Sequence, residues 1–257
     1  MWLSLQLAVL AVQQNPFVHY WKKISDRTFT GVYRLNGFDL AMMIPYFLVL
    51  FVLALYGFHR YWLVYDFFKY AKNVPSPPPS VEDWPRVTIQ LPIYNERYVI
   101  ERLVEAVSRF DYPRALLDVQ VLDDSTDETR DIARACVERH AAQGMSVTYI
   151  HRSNRAGFKA GALENGLRTA CGEYVAIFDA DFLPAPDFLR RTIPYFLDPA
   201  AGGRIAMVQT RWTYLNRDYS LLTNVETILL DGHFVIEHGA RSRRGTFFNF
   251  NGTAGVW

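Results

Sequence analysis

Apolar residues run from Leu40 to Phe58 without a single charge, and beyond that stretch they turn periodic. At about 1.5 Å per residue, a helix of that length crosses the roughly 30 Å hydrocarbon core of a bilayer. The run predicts a transmembrane helix with Pro45 in its first turns, Gly57 near its end, and Tyr56, Tyr61 and Trp62 as interfacial aromatics. It begins too far from Met1, and runs too long, for a cleaved signal. Met1 to Val12 is a shorter apolar run that suits an interfacial or partly inserted segment better than a second span. Past the span, Val74 to Ser80 and then Pro85 form a proline-rich stretch that favours an extended spacer.

After the spacer the pattern alternates. Val87 to Leu91 reads as a strand, Tyr98 to Phe110 as a helix, Asp118 to Leu122 as a strand and Thr126 to Gln143 as a helix. Strand Ser146 to Ile150, helix Lys159 to Thr169, a strand ending at Asp179 and a helix from near Asp187 continue the series. Strands alternating with helices predict an α/β fold with a mainly parallel sheet covered on both faces. The expected organisation is an interfacial segment at 1–37, a transmembrane helix at 38–62, a juxtamembrane segment and linker at 63–86, and an α/β domain at 87–257.

Half of the 257 residues are apolar, enough for one full core with the membrane segment added. A net charge of +1, without a basic stripe, argues against nucleic acid as a partner. Cys136 and Cys171 lie far apart and lack His or Cys partners at ligand spacing, so neither a zinc site nor a disulfide framework is expected. Lys22, Lys23, Arg27 and Arg34 precede the span, and Arg60, Lys69 and Lys72 follow it, so basic charge does not orient it.

The stretch Glu173-Tyr-Val-Ala-Ile-Phe-Asp-Ala-Asp181 carries the sharpest chemistry, because an apolar strand that ends in two carboxylates is costly unless a cation uses them. Residues two apart on a strand share a face, so Asp179 and Asp181 would look together into the crevice at the carboxyl edge of a parallel sheet. Such a pair suits Mg2+ or Mn2+, which takes oxygen ligands and shares them with substrate phosphates. The alternative is local: Asp181 or Asp187 could serve as the cap of the following helix. Two further strand ends carry unusual residues, Pro92-Ile-Tyr-Asn-Glu96 and Asp123-Asp-Ser-Thr126. In an alternating sheet all of these ends meet on one edge. The loop His151 to Gly161 places Gly157, Lys159 and Gly161 at a helix start, where amides and an ammonium can approach a diphosphate; a basic turn with ordinary glycines is the competing reading.

Taken in order, Leu91-Pro-Ile-Tyr-Asn-Glu96, Asp123-Asp124, Asn154 to Gly161 and Asp179-Ala-Asp181 resemble a family-two glycosyltransferase of the GT-A fold, from Val87 onward. Val208-Gln-Thr-Arg-Trp212 and Phe247 to Trp257 are similar to the glucomannan and xyloglucan-backbone synthases related to cellulose synthase. The resemblance implies that Tyr94 and Glu96, with Asp123 or Asp124, surround the nucleoside. It places Lys159 at the diphosphate, Asp179 beside ribose and diphosphate, and Asp181 on the metal. It further implies an inverting enzyme in the inner or plasma membrane, with its catalytic domain in the cytosol, moving a hexose from GDP-mannose or UDP-glucose to a β-glycan. Gln209-Thr-Arg-Trp212 has one residue too few to be the Gln-x-x-Arg-Trp acceptor motif of that family. Asn251-Gly-Thr253 matches a glycosylation acceptor, expected to be accidental in a cytosolic domain. Glu226, Asp231, His233, Glu237 and His238, on a helix after Leu221, are expected in a solvated face or in packing.

The family's base is the Asp of a Thr-Glu-Asp motif, and no Thr-Glu-Asp occurs in this sequence. The expectation is a donor-binding amino-terminal part of a longer synthase, with its base beyond Trp257 and no turnover of its own. The alternatives are a non-processive transferase acting on a lipid phosphate, and a membrane-tethered nucleotide-sugar-binding subunit without catalysis.

Overall fold

A computed structural model describes residues 37–75, 80–199 and 203–257, so the Met1 to Val12 segment and most of the proline spacer lie outside the described residues. The chain divides into two units, Met1–Trp62 and Leu63–Trp257. Helix α1 spans Gly37–Lys69, past the end at Trp62 that the sequence suggested. Its most apolar 18-residue window has a mean hydropathy of 2.3 with none of it buried in the protein, which makes α1 a candidate membrane span by length and composition.

The second unit is built on six strands: β1 (Val87–Ile93), β2 (Leu117–Asp123), β3 (Val147–His151), β4 (Tyr174–Ile177), β5 (Val208–Gln209) and β6 (Gly255–Val256). They lie in the order β3-β2-β1-β4-β6-β5. β1, β2, β3 and β4 pair in parallel, while β6 pairs antiparallel with both β4 and β5. This is the mainly parallel α/β sheet expected of a GT-A fold. Helices α2 (Ile100–Ser108), α3 (Thr129–Ala142), α4 (Phe158–Leu167) and α5 (Phe188–Phe196) join the parallel strands or follow them. α6 (Leu221–Asp231) continues through a π-helical turn (Gly232–His238) into α7 (Gly239–Arg244).

All seven residues of β1 are buried, Thr88 and Gln90 included, as expected of a central strand covered on both faces. Odd positions of β1 and β2, Val87, Ile89, Leu91, Val119 and Val121, enter one core with Ile100, Leu103, Val104 and Val107 of α2 and with Leu189 and Ile193 of α5. Even positions face α4. There Gln90 and Gln120 pair in register, with Gln90 Nε2 donating to Gln120 Oε1 at 3.1 Å and to the Leu163 carbonyl at 3.3 Å. Two buried amides therefore satisfy each other and the helix above them. The helix comes this close because Gly166 has no side chain; a Cβ there would stand 2.6 Å from Gln90 Nε2.

Near the site, two element boundaries differ from the sequence expectation and one expected cap is unused. α3 begins at Thr129 rather than Thr126, because Ser125 N is held by Asp123 Oδ1 at 2.7 Å and Thr129 N by Asp127 Oδ1 at 3.0 Å, local bonds that compete with helix. β4 stops at Ile177, so Asp179 and Asp181 stand in the turn beyond it, where Phe182 N bonds the Asp179 carbonyl at 3.0 Å. At the start of α5, Asp187 occupies the cap position, but its side chain caps nothing and faces Arg191 at 3.8 Å.

α6 opens on a capping box in which Ser220 Oγ accepts from Thr223 N at 3.2 Å and Ser220 N donates to Thr223 Oγ1 at 3.0 Å. At the other end of this helical run, Arg244 Nη1 donates to the buried Asp66 carboxylate at 2.7 Å.

Candidate functional site

The direction of strand succession reverses around β1, with β2 on one side and β4 on the other. Open α/β sheets bind ligands in the crevice at the carboxyl ends flanking such a reversal. Here the crevice is a cavity of about 250 Å3, and its lining includes Tyr94 and Glu96 from the end of β1, Asp124 from the end of β2, Arg155 and Lys159 from the loop into α4, and Asp179.

The loop after β1 is fixed to the loop after β2. Asn95 adopts a left-handed backbone with φ +56°, its N donates to Ser125 Oγ at 2.8 Å, and its Oδ1 accepts from Thr126 N at 2.9 Å. That turn aims Tyr94 into the cavity, where the Arg155 guanidinium lies 3.3 Å above its ring centroid. An aromatic ring with a cation on its face is a stacking wall for a planar ligand.

Asp124, 6% exposed, takes a two-armed contact from Arg152, whose Nε donates to Oδ1 at 2.8 Å. The same guanidinium donates to the carbonyls of Ala156 and Phe158 at 3.2 and 3.1 Å, so Asp124 also shapes the loop that leads into α4. Two glycines shape the base of that loop: a Cβ on Gly161 would stand 2.1 Å from the Ala156 carbonyl oxygen, and Gly157 has φ +72°. The geometry delivers Lys159 Nζ to Asp179 Oδ1, and to the Gly252 carbonyl at 2.7 Å.

Asp123 is placed differently from its neighbour. It is fully buried, accepts from Ser125 N at 2.7 Å and from the Tyr149 hydroxyl at 2.5 Å, and does not line the cavity. Of the pair Asp123 and Asp124, the structure brings Asp124 to the crevice and uses Asp123 to lock β2 to β3.

Asp181 is exposed and close enough to act on Glu96, whose carboxyl is pushed above its ordinary range by burial first, then by Asp181 and Asp179, with Lys159 pulling the other way. Acids in excess of nearby cations mark a place for added positive charge. Among the described residues no group of three or more His, Cys, Asp or Glu is arranged to hold a metal. A Mg2+ or Mn2+ ion can take one or two carboxylates and complete its shell with phosphate and water. Asp179, in the cavity lining, and Asp181, exposed and acting on Glu96, are the carboxylates that could hold such an ion.

Four contributors escaped the sequence reading. Arg152 and Arg155 lay within the quoted loop but gave no periodic signal. Gly252 and Thr253 reach the site from about 75 to 90 residues downstream, Gly252 through its carbonyl on Lys159 and Thr253 through its hydroxyl, which accepts from Asp179 N at 3.0 Å. Thr253 is 3% exposed, and Asn251, half-buried, is hydrogen-bonded through both backbone and side chain.

Residues 88–248 match the sequence model of glycosyl transferase family 2. The chain belongs to that family. Among its relatives, glucomannan 4-beta-mannosyltransferase 1 of Oryza sativa subsp. japonica is 48% identical over 179 residues, covering 68% of this chain and 34% of the relative. Glucomannan 4-beta-mannosyltransferase 2 of Arabidopsis thaliana is 44% identical over 180 residues, covering 68% and 33%. This family 2 chain thus spans about a third of the length of the curated relatives it matches. A mannosyltransferase from Pyrobaculum calidifontis, solved in complex with GDP-Man and Mn2+, superposes with a TM-score of 0.52 at 32% identity over 65% of this chain and 47% of its own.

Proposed function

We propose that this chain forms the donor-binding part of a membrane-anchored, inverting glycosyltransferase that moves a hexose from a nucleotide sugar to a growing β-glycan. The observation that carries the reading is the meeting of Glu96, Lys159, Asp179 and Asp181 at the β1/β4 reversal, an acid-rich crevice with one ammonium placed among the acids. Relatives named glucomannan mannosyltransferases, and a fold neighbour solved with GDP-Man, favour GDP-mannose over UDP-glucose as donor and a β-mannan type of acceptor over a lipid phosphate.

In this reading Tyr94 and Arg155 wall the nucleoside, and Asp124 borders it. Asp179 and Asp181 hold Mg2+ or Mn2+, which when bound supplies counter-charge for the diphosphate. Lys159 supplies a second positive charge where the leaving group becomes more anionic, which is where stabilisation lowers the barrier. In the transfer itself the acceptor hydroxyl oxygen bonds to the anomeric carbon, the bond from that carbon to the diphosphate breaks with its electron pair leaving on the diphosphate, and the hydroxyl proton goes to a base. No residue of this chain is assigned as that base, since it contains no Thr-Glu-Asp. The 257 residues alone are therefore proposed to bind donor without transferring sugar. α1 is proposed to anchor the protein, with the 87–257 domain on the cytosolic side where nucleotide sugars are available.

Titration calorimetry of the detergent-purified chain with GDP and with UDP, each with and without Mn2+, tests the proposal. Mn2+-dependent binding that Lys159→Ala weakens and Asp181→Ala removes is the expected result. Equal binding with and without metal, unaffected by either variant, would refute it.

A further inference from the structure

We infer that His233, outside the crevice, is a positioning residue for the donor site, acting through Asn251 on the loop that holds Lys159 and Asp179. The inference rests on the donor reading of the crevice.

The π-helical turn Gly232–His238 interrupts an otherwise α-helical run. Such turns have poorer hydrogen-bond geometry and recur at functional sites, so the side chains they re-aim are the ones to follow. His233 is one of these. Its Nε2 lies 3.0 Å from Asn251 Oδ1 and its Nδ1 lies 3.2 Å from Glu237 Oε2, which in turn pairs with Arg241 at 3.3 Å. Both nitrogens face acceptor oxygens, and the tautomer that carries its proton on Nε2 donates to Asn251 Oδ1.

Asn251 opens a loop under constraint. Gly252 has φ +85° and Ala254 has φ +51°, and an alanine in the left-handed region persists only where its surroundings over-determine it. Gln209 supplies part of the restraint: its Oε1 accepts from Asn251 N at 3.1 Å, and its Nε2 donates to the Thr253 and Ala254 carbonyls at 2.9 and 3.2 Å. His233 supplies a side-chain restraint on Asn251 from the helical run. What the loop then does is specific: the Gly252 carbonyl accepts from Lys159 Nζ, the Thr253 hydroxyl accepts from Asp179 N, and Ala254 N donates to the Ile177 carbonyl at 2.8 Å. A loosened loop lets the Gly252 carbonyl drift, leaves Lys159 to Asp179 alone, and blunts that carboxylate toward a divalent ion.

A packing histidine would produce only a change in stability when removed. A positioning histidine must change affinity as well, and the change must run through Asn251. The test uses the full chain in detergent, with Mn2+ and GDP as probes, beside hydrogen exchange of the peptide covering residues 250–256. In His233→Ala, Mn2+-dependent GDP binding is expected to weaken about 10- to 100-fold, the range for groups that orient metal ligands from behind. Exchange of the 251–254 amides should rise while that of β1 and β2 stays at the wild-type level. His233→Gln, whose amide can still reach Asn251, should recover most of the affinity. His233→Ala added to Asn251→Ala should cost nothing further, since both act through one contact. Unchanged exchange and affinity in His233→Ala, or losses that add in the double variant, overturn the inference. Wild-type protein that binds neither GDP nor UDP would sink the donor reading, whereas the exchange measurement still decides whether His233 restrains the loop.

Discussion

Two aspartates near β4 look alike in sequence and differ in surroundings. Asp181 stands by Glu96, whose carboxyl is raised by burial first and then by Asp181 and Asp179, while Asp187 sits at the start of α5 without bonding a backbone amide. Asp181→Ala is therefore expected to abolish Mn2+-dependent nucleotide binding. Asp187→Ala should change stability by no more than about 0.5 kcal/mol, the level of an ordinary surface substitution rather than of a lost cap. Calorimetry and urea unfolding on the two variants separate these outcomes, and a loss of metal response in Asp187→Ala would reverse the assignment. Glu96 gives a pH test. Its folded-state value lies above 4.5, so the folded state holds its proton more tightly than the unfolded state does. The associated stability is present below pH 4.5 and is lost as the pH rises through the folded value. Glu96→Gln should thus gain on the wild type across that window in urea midpoints measured without metal; a constant gap at all pH values would mean that Glu96 titrates normally.

The strands were legible from apolar residues at alternate positions, Val87, Ile89 and Leu91 in β1 and Val119 and Val121 in β2, whereas the burial of Thr88, Gln90 and Gln120 between them depends on partners in neighbouring elements. Strand ends were legible as places, since an alternating sheet fixes where they gather. Which of two adjacent acids enters the crevice was not, because Asp123 and Asp124 are separated by a Tyr149 hydroxyl and an Arg152 side chain whose positions depend on β3 and its loop. The end of β4 was misjudged for a similar reason: its antiparallel partner is a two-residue strand from the far end of the domain, which no local pattern announces. Glycine in the α4 loop is tested directly. Gly161→Ala must displace the Ala156 carbonyl, so it should destabilise by about 1–3 kcal/mol and lower GDP affinity by misplacing Lys159. A urea midpoint equal to the wild type would show that the loop yields without cost.

At the scale of the molecule, the domain and the apolar helix make separate claims on location. If α1 spans the bilayer with the family 2 domain in the cytosol, a cysteine at Ser80, in a Cys171→Ser background that removes the exposed native thiol, stays unlabelled by an impermeant maleimide applied to intact cells. Labelling as strong as in lysed cells would place the domain outside.

The antiparallel return of β6 also carries a consequence in time. Lys159 meets Gly252 across a sequence separation of 93 residues, and Asp179 meets Thr253 across 74. On a ribosome adding roughly 5–20 residues per second, about 4 to 20 s pass between the synthesis of Lys159 and Asp179 and that of the segment that closes the acid turn. β4 has no β6 to pair with until then, and long-range pairings of this kind are the slow ones to form. In a nascent chain of this protein both aspartates are therefore made well before the residues that clasp them.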